Sequence, residues 1–221
     1  MTNEELLNID QFRAVFLKYT KKAFEMLPKI EKPCILDIGC GNGLPTLKLM
    51  ELSEGNFVGI DIDRKALEKF KKKIEEKGLS DRIKIMNKSL YNTNFPDENF
   101  DILWEEGVLH ILDLNKSLNE CCRILKPKGF LVAFETIKWM HNSLEIFQDH
   151  SFQLKDHFML PEKYWWTGYY APLEKKITEL RQKYQGSKNL EFLKNYEREV
   201  AMVKKNPKEF DCGFYIMQKI V

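Results

Sequence analysis

The sequence predicts an α/β fold, a parallel sheet covered by helices on both faces. Three observations carry that prediction. Short apolar runs recur between stretches of helical spacing, the rhythm of βαβ units. The first apolar run ends in a glycine-rich turn, Gly39-Cys40-Gly41-Asn42-Gly43. The 221 residues are 43% hydrophobic and 31% charged, enough apolar material for a sizeable core. That length fits one generous domain, or one domain with attachments.

Residues about 4–27 read as an amphipathic helix, with Phe12, Phe16, Tyr19, Ala23 and Leu27 on one stripe and Pro28 and Pro33 bracketing its end. Cys34 to Ile38 is a nearly continuous apolar run, as a buried strand requires. Leu44 to Leu52 has helical character, and Phe57 to Asp61 is a second strand. Leu67, Phe70 and Ile74 mark a helix that stops near Gly78. Ile83 and Ile85 make a third strand, and Phe100 to Trp104 a fourth. Leu118, Cys121, Cys122 and Leu125 line a helix ended by Pro127, and Phe130 to Phe134 is a fifth strand. Residues 141–149 predict a short helix, and Phe152 to Leu160 a sixth strand. An aromatic segment follows, with Tyr164, Trp165, Trp166, Tyr169 and Tyr170. Two charge-rich helices are expected over about 172–185 and 188–205, then a last strand through Phe214 to Met217 that ends near Ile220.

The charges nearly cancel, 35 basic against 33 acidic for +2, which argues against a dedicated nucleic-acid binder. No apolar run approaches about 18 residues, so no membrane-spanning helix is expected. The start, Met1-Thr2-Asn3-Glu4-Glu5, is too polar for a secretory signal. A cytoplasmic protein with five reduced cysteines is therefore expected. The four histidines are scattered and no Cys or His pair has zinc spacing, so no metal is expected.

A glycine turn at a helix start offers unpaired N–H groups and close approach to the backbone. That favours a nucleotide-like cofactor at the carboxyl end of the first strand. Leu44 stands where the dinucleotide fingerprint needs its third glycine, and no Gly-Lys-Ser/Thr follows. Asp61 ends the second strand, where a carboxylate can accept from two ribose hydroxyls. The alternative is a helix cap at Asp61 or Asp63; the favoured division gives the ribose to Asp61 and the cap to Asp63.

Together these residues resemble the class I S-adenosylmethionine (SAM)-dependent methyltransferases. Ile35 to Gly43 looks like their motif I, and Gly59-Ile60-Asp61-Ile62-Asp63 like their acidic second strand. Phe95 to Ile102 resembles the approach to strand four, and Arg123 to Phe130 the entry to strand five. The resemblance implies a doubly wound, Rossmann-like sheet of seven strands, order 3-2-1-4-5-7-6, with the last strand antiparallel. It implies one domain: a helical cap over 1–29, a SAM-binding core over 30–160, an aromatic and helical insert over 161–210, and the final strand over 211–221. Ser89 stands where most members place an adenine-binding Asp. That departure, Trp104-Glu105-Glu106-Gly107 and the aromatic segment look like one branch of small-molecule methyltransferases whose substrates are mostly unassigned.

Carried over, Asp37 and the backbone at Gly39 and Gly41 would hold the methionine end of SAM. Asp61 would hold the ribose, with Ile62 against the adenine and Ser89 and Leu90 at its edge. Glu105 or Glu106 would sit beside the methionine amino group or the sulfonium. The reaction releases S-adenosylhomocysteine. A base is needed only if the nucleophile arrives protonated, and Glu106 and His110 are its candidates. They would share a face if a helix began there. The aromatic cluster reads equally as a substrate lid, gripping a cation or flat ring, or as an anchor for the inserted helices. Cys121 and Cys122 read as core, and Cys40 as no nucleophile. The expected partner is a small methyl acceptor, with a monomer or homodimer as the assembly. The alternatives are an acceptor in RNA or protein, and a SAM-binding module without turnover. Both length surpluses, the N-terminal helix and the insert, are expected near the carboxyl edge of the sheet.

Overall fold

The parallel part of the sheet forms from short β-rich runs, buried most completely at its centre and less at its edge. In the computed structural model, which describes residues 6–185 and 190–220, these runs are β1 (Cys34–Ile38), β2 (Asn56–Asp61), β3 (Ile83–Asn87), β4 (Phe100–Glu106) and β5 (Leu125–Thr136). Residues 1–5, the first two of the helix expected from 188, and Val221 lie outside the described residues. The sheet closes with β6 (Phe152–Met159) and β7 (Cys212–Lys219), in the order β3-β2-β1-β4-β5-β7-β6. Strands β1 to β5 pair in parallel, with Asp37 beside Gly59 and Trp104, and Glu105 beside Ala133. The Leu160 amide donates to Cys212 O and the Ile220 amide to Ser151 O, so β7 runs antiparallel to β6.

Helices α1 (Ile9–Arg13) and α2 (Leu17–Glu25) precede the sheet, and α3 (Leu44–Leu52), α4 (Arg64–Glu76), α5 (Leu114–Ile124) and α6 (Ile137–Asp149) connect its strands. The chain moves outward from β1 to β3 and then returns to β4 beside β1. Right-handed crossovers put the helices before and after that reversal on opposite faces. The core on these faces includes Leu36, Ile38, Ile60, Leu103, Leu118 and Met140, each at most 2% exposed.

The chain forms two compact units. One joins Lys18–Phe158 to Gly213–Val221 and holds the sheet. The other joins Met1–Leu17 to Met159–Cys212. The second unit contains α1, a π-helical turn (Trp165–Tyr170), α7 (Ala171–Lys183) and α8 (Leu193–Lys205). The insert and the N-terminal residues up to Leu17 thus fall in one unit, and the N-terminal residues from Lys18 onward in the sheet unit. The single N-terminal helix expected over 4–27 is broken instead into α1, a 3-10 turn (Ala14–Phe16) and α2. Its stripe serves two units: Phe16 packs at 4.4 Å from Trp165 in one, and Phe24 at 6.3 Å from Trp104 in the other.

Several boundaries differ from expectation. Helix α6 begins at Ile137 rather than 141, because Thr136 caps it by accepting from the Trp139 amide. Leu125 leaves the helix and opens β5, because Pro127 cannot continue it.

Candidate functional site

The carboxyl ends of β1, β2, β4 and β5 lie side by side, and each has an acid within its last two residues. These are Asp37, Asp61, Glu105 with Glu106, and Glu135. The reversal of strand order falls between β1 and β4, where folds of this kind open a crevice for ligands.

The glycine turn follows β1. Gly39, Gly41 and Gly43 all take positive φ. A Cβ on Gly39 would stand 2.3 Å from Val108 Cγ2, and one on Gly43 2.1 Å from the Phe70 ring. A Cβ on Gly41 would meet nothing within 4 Å, so the chain is bare towards open space there. The turn is not a ring of free donors, as a helix-start anion site would be. The Gly39 and Cys40 amides donate to Ile60 O, Gly43 to Cys40 O, and Gly41 to Asp61 Oδ2 at 2.8 Å. The turn is spent on fastening β1 to β2, which leaves close approach as its offer to a ligand.

Asp37 is 3% exposed and accepts a short hydrogen bond from Thr46 Oγ1 on α3. Burial pushes its carboxyl up to about 7, against the lowering effect of Thr46, with Glu106 and Asp61 adding to the rise. Asp61 accepts from Gly41 through Oδ2 and from the Asp63 amide through Oδ1. Asp63 is the α4 cap, accepting from the Lys65 and Ala66 amides, which is the expected division of labour. Ile62 is 76% exposed beside it, an apolar surface without cover. Ser89 follows β3 and accepts from the Tyr91 amide, while the Leu90 side chain is buried.

Glu105 is fully buried. Its Oε2 accepts from the Val108 and Leu109 amides, and its Oε1 finds no partner among the described residues. Burial, then the neighbouring Glu135, holds its carboxyl well above the usual range. Glu106 Oε1 accepts from Thr20 Oγ1 at 2.8 Å and Trp104 Nε1 at 3.0 Å. His110 lies in a 3-10 turn (Leu109–Ile111) with Gly107 between them at φ 81°. No helix starts at Glu106, so it and His110 are not the helical i, i+4 pair that their spacing suggested. His110 turns instead to Glu135, the acid that sequence reasoning missed. The signal was present: Glu135 directly follows the apolar run Phe130 to Phe134.

Asp37, Gly39, Gly41, Asp61, Ile62, Ser89, Leu90, Glu105, Glu106 and His110 therefore lie in the sheet unit, at or just beyond the carboxyl ends of its strands. Tyr164, Trp165, Trp166, Tyr169 and Tyr170 belong to the other unit. There Phe16 touches Tyr164, Trp165 and Tyr169, Tyr169 crosses Tyr170 edge-on at 4.7 Å, and Lys204 sits over Trp166. None of the five cysteines is in a disulfide. Burial raises the Cys40 and Cys121 thiols, which disfavours the thiolate a nucleophile needs. Among the described residues no helix is long and apolar enough to cross a membrane, and no cluster of His, Cys, Asp and Glu is placed to hold a metal ion.

This sheet order is that of a doubly wound, Rossmann-like α/β fold. Residues 36–133 match the methyltransferase domain family, the segment from β1 to β5. The sterol 24-C-methyltransferase of Pneumocystis carinii is 31% identical over 108 residues, 48% of this chain and 29% of that protein. A ubiquinone/menaquinone biosynthesis C-methyltransferase, UbiE of Rickettsia massiliae, is 34% identical over 110 residues, 47% of this chain and 44% of that protein. The matched segments span less than half the length of these relatives. Solved structures extend the likeness over nearly the whole chain. The [4+2]-cyclase SpnF has a TM-score of 0.75 at 18% identity, covering 93% of this chain and 82% of that one. Geranyl diphosphate C-methyltransferase of Streptomyces coelicolor A3(2), solved with Mg2+, geranyl diphosphate and S-adenosyl-L-homocysteine, has a TM-score of 0.66 at 14% identity, covering 90% and 78%. The fold is thus shared by proteins of unlike chemistry, and function must be argued from the site.

Proposed function

We propose that the protein is a SAM-dependent methyltransferase acting on a small molecule. The reading is carried by one coincidence: the segment that matches methyltransferase domains also bears the acids at the ends of β1, β2 and β4. The residues suit the cofactor. Asp61 uses one acceptor position on each oxygen and keeps others for ribose hydroxyls. Ile62 offers an uncovered apolar face for adenine, with Ser89 and Leu90 at its edge. Gly41 is bare where the methionine end would pass, with Asp37 and Gly39 beside it. The orphaned Oε1 of Glu105 is an acceptor in want of a donor, and an ammonium supplies one. The bound cofactor supplies an activated methyl group; the chain has to align the acceptor and exclude water.

Sterol and quinone relatives and the near-zero net charge favour a small acceptor over RNA or protein. Ser89, in place of an adenine-site Asp, supports a place in the branch of small-molecule enzymes. The aromatic segment Tyr164 to Tyr170 is the candidate for acceptor selection, and Glu106 and His110 are the candidate bases. A cytoplasmic setting fits five cysteines without a disulfide. A second reading is a SAM-binding module without turnover of SAM; its support is that this fold is shared with a [4+2]-cyclase and so is not confined to methyl transfer.

Thermal melting with SAM, S-adenosylhomocysteine and NAD is the first test. A ligand at about 100 times its dissociation constant adds about 2.7 kcal/mol. A shift with the first two and none with NAD is expected; no shift with either sinks the proposal. Methyl-labelled SAM incubated with a metabolite extract separates the two readings, because label in any product excludes a mere binder.

A further inference from the structure

Glu135 is a buried acid to which the methyl-transfer reading gives no task. It lies near the end of β5 with its side chain 1% exposed, and His110 reaches it three ways. The His110 amide donates to Oε1 at 3.1 Å, and Nδ1 lies 3.1 Å from Oε1 and 2.8 Å from Oε2. An ionised carboxylate only accepts, so Nδ1 is the donor. The ring proton of neutral His110 is thereby fixed on Nδ1, and Nε2 keeps its lone pair. The ring is anchored at one edge to a buried group while the side chain as a whole stays 44% exposed. The hydrogen bond from the same residue's main chain holds the carboxyl beside the ring, and the contact at Nδ1 sets the tautomer.

We propose that Glu135 is a positioning residue that makes His110 Nε2 the general base of methyl transfer. The acceptor is then a nucleophile that arrives with its proton, a hydroxyl, phenol or ammonium, rather than a carbon–carbon double bond. This rests on the methyl-transfer reading. In the step, the acceptor's heteroatom bonds to the methyl carbon as the carbon–sulfur bond breaks. The bonding pair stays on sulfur, which becomes a neutral thioether. The acceptor's proton passes to Nε2, and Glu135 balances the imidazolium formed. Glu135 is the charged group that acts on His110, raising its pKa chiefly through the hydrogen bond. Behind it on β4 stand Glu105, which feels Glu135, and Glu106.

The test uses the full chain with 15N-labelled histidine. Long-range nitrogen–proton spectra should show His110 protonated at Nδ1 when neutral, with its titration midpoint above the ordinary value of about 6.5. In Glu135→Gln the midpoint should fall, and Glu135→Asp should restore part of it. An Nε2-protonated ring, or a midpoint unmoved by Glu135→Gln, overturns the positioning role. Label transfer from methyl-labelled SAM to a metabolite extract reads the catalytic half. His110→Gln should lose about 100-fold or more in rate, the scale of general-base catalysis. Glu135→Gln should shift the acid limb of the pH profile to lower pH, which a merely structural role would not do. His110→Gln should bind SAM as tightly as the wild type by calorimetry. Full transfer by His110→Gln overturns the base. Wild-type protein that neither binds SAM nor transfers label fails the methyl-transfer reading instead, and the spectra still judge the His110–Glu135 pair.

Discussion

Asp61 serves the fold and the proposed cofactor with one carboxylate. Oδ2 holds the Gly41 amide and Oδ1 the Asp63 amide, so the acid fastens the glycine turn to the start of α4. A carboxylate has about four acceptor positions, which leaves about two for the ribose. Asp61→Ala removes both functions. Bonds to a charged group contribute about 1.5–3 kcal/mol, so SAM affinity should fall by about 10- to 150-fold. The melting temperature should fall too, since the buried-side amide of Gly41 loses its acceptor. Calorimetry that found unchanged affinity would remove Asp61 from the site. Glu135 shows the limit of such residue-level reading. It adjoins an apolar run in the sequence, but its partner His110 is 25 positions away, and only the parallel pairing of β4 with β5 brings the two together.

The turn between β1 and α3 makes a sharper prediction, because its glycines do different work. Gly43 begins α3 at φ 82°, and a Cβ there would stand 2.1 Å from Phe70, which is fully buried and has nowhere to move. Left-handed backbone and overpacking each cost a non-glycine residue about 1–3 kcal/mol. Gly43→Ala should therefore lose roughly 2–5 kcal/mol of stability in denaturant unfolding. Gly41→Ala meets no neighbour, so its stability loss should be the smaller while its SAM affinity falls more. The reverse order in the two variants would contradict this assignment. The strands and connecting helices of this half were legible because their signals are local: apolar runs, glycine punctuation and caps such as Asp63. The break of the N-terminal stripe at Ala14–Phe16 was not, because one helical periodicity serves two packing surfaces. The π-turn was hidden likewise: Trp165 to Tyr170 reads as aromatic loop, yet the Ala171 amide reaches back to Trp166 O.

At the scale of the molecule, the sheet assembles at one edge acids that are far apart in sequence. Burial, with repulsion from neighbouring acids, raises two of them, Asp37 and Glu105. Asp37 titrates at about 7 in the fold, Glu105 lies well above its usual value, and His110 is raised by Glu135. All three bind protons more tightly folded than unfolded. Each therefore contributes stability that is present at low pH and lost as pH rises through its folded pKa. For Asp37 the window runs from its unfolded value near 4 up to about 7, and the full loss is on the order of 4 kcal/mol. Acids held below their usual value, such as Glu120 under its hydrogen bond from Arg123, act at the acid end and leave this window untouched. The unliganded protein should thus melt at a higher temperature near pH 6 than near pH 8. A ligand bearing an ammonium and a sulfonium favours the charged acids, so SAM should stabilise more at pH 8 and should release protons on binding near pH 6.5. Calorimetry in buffers of different ionisation enthalpy measures that release directly. Melting temperatures that rise steadily from pH 6 to 8 without ligand would show that these acids are ionised in the fold, and the electrostatic account of the site would be wrong.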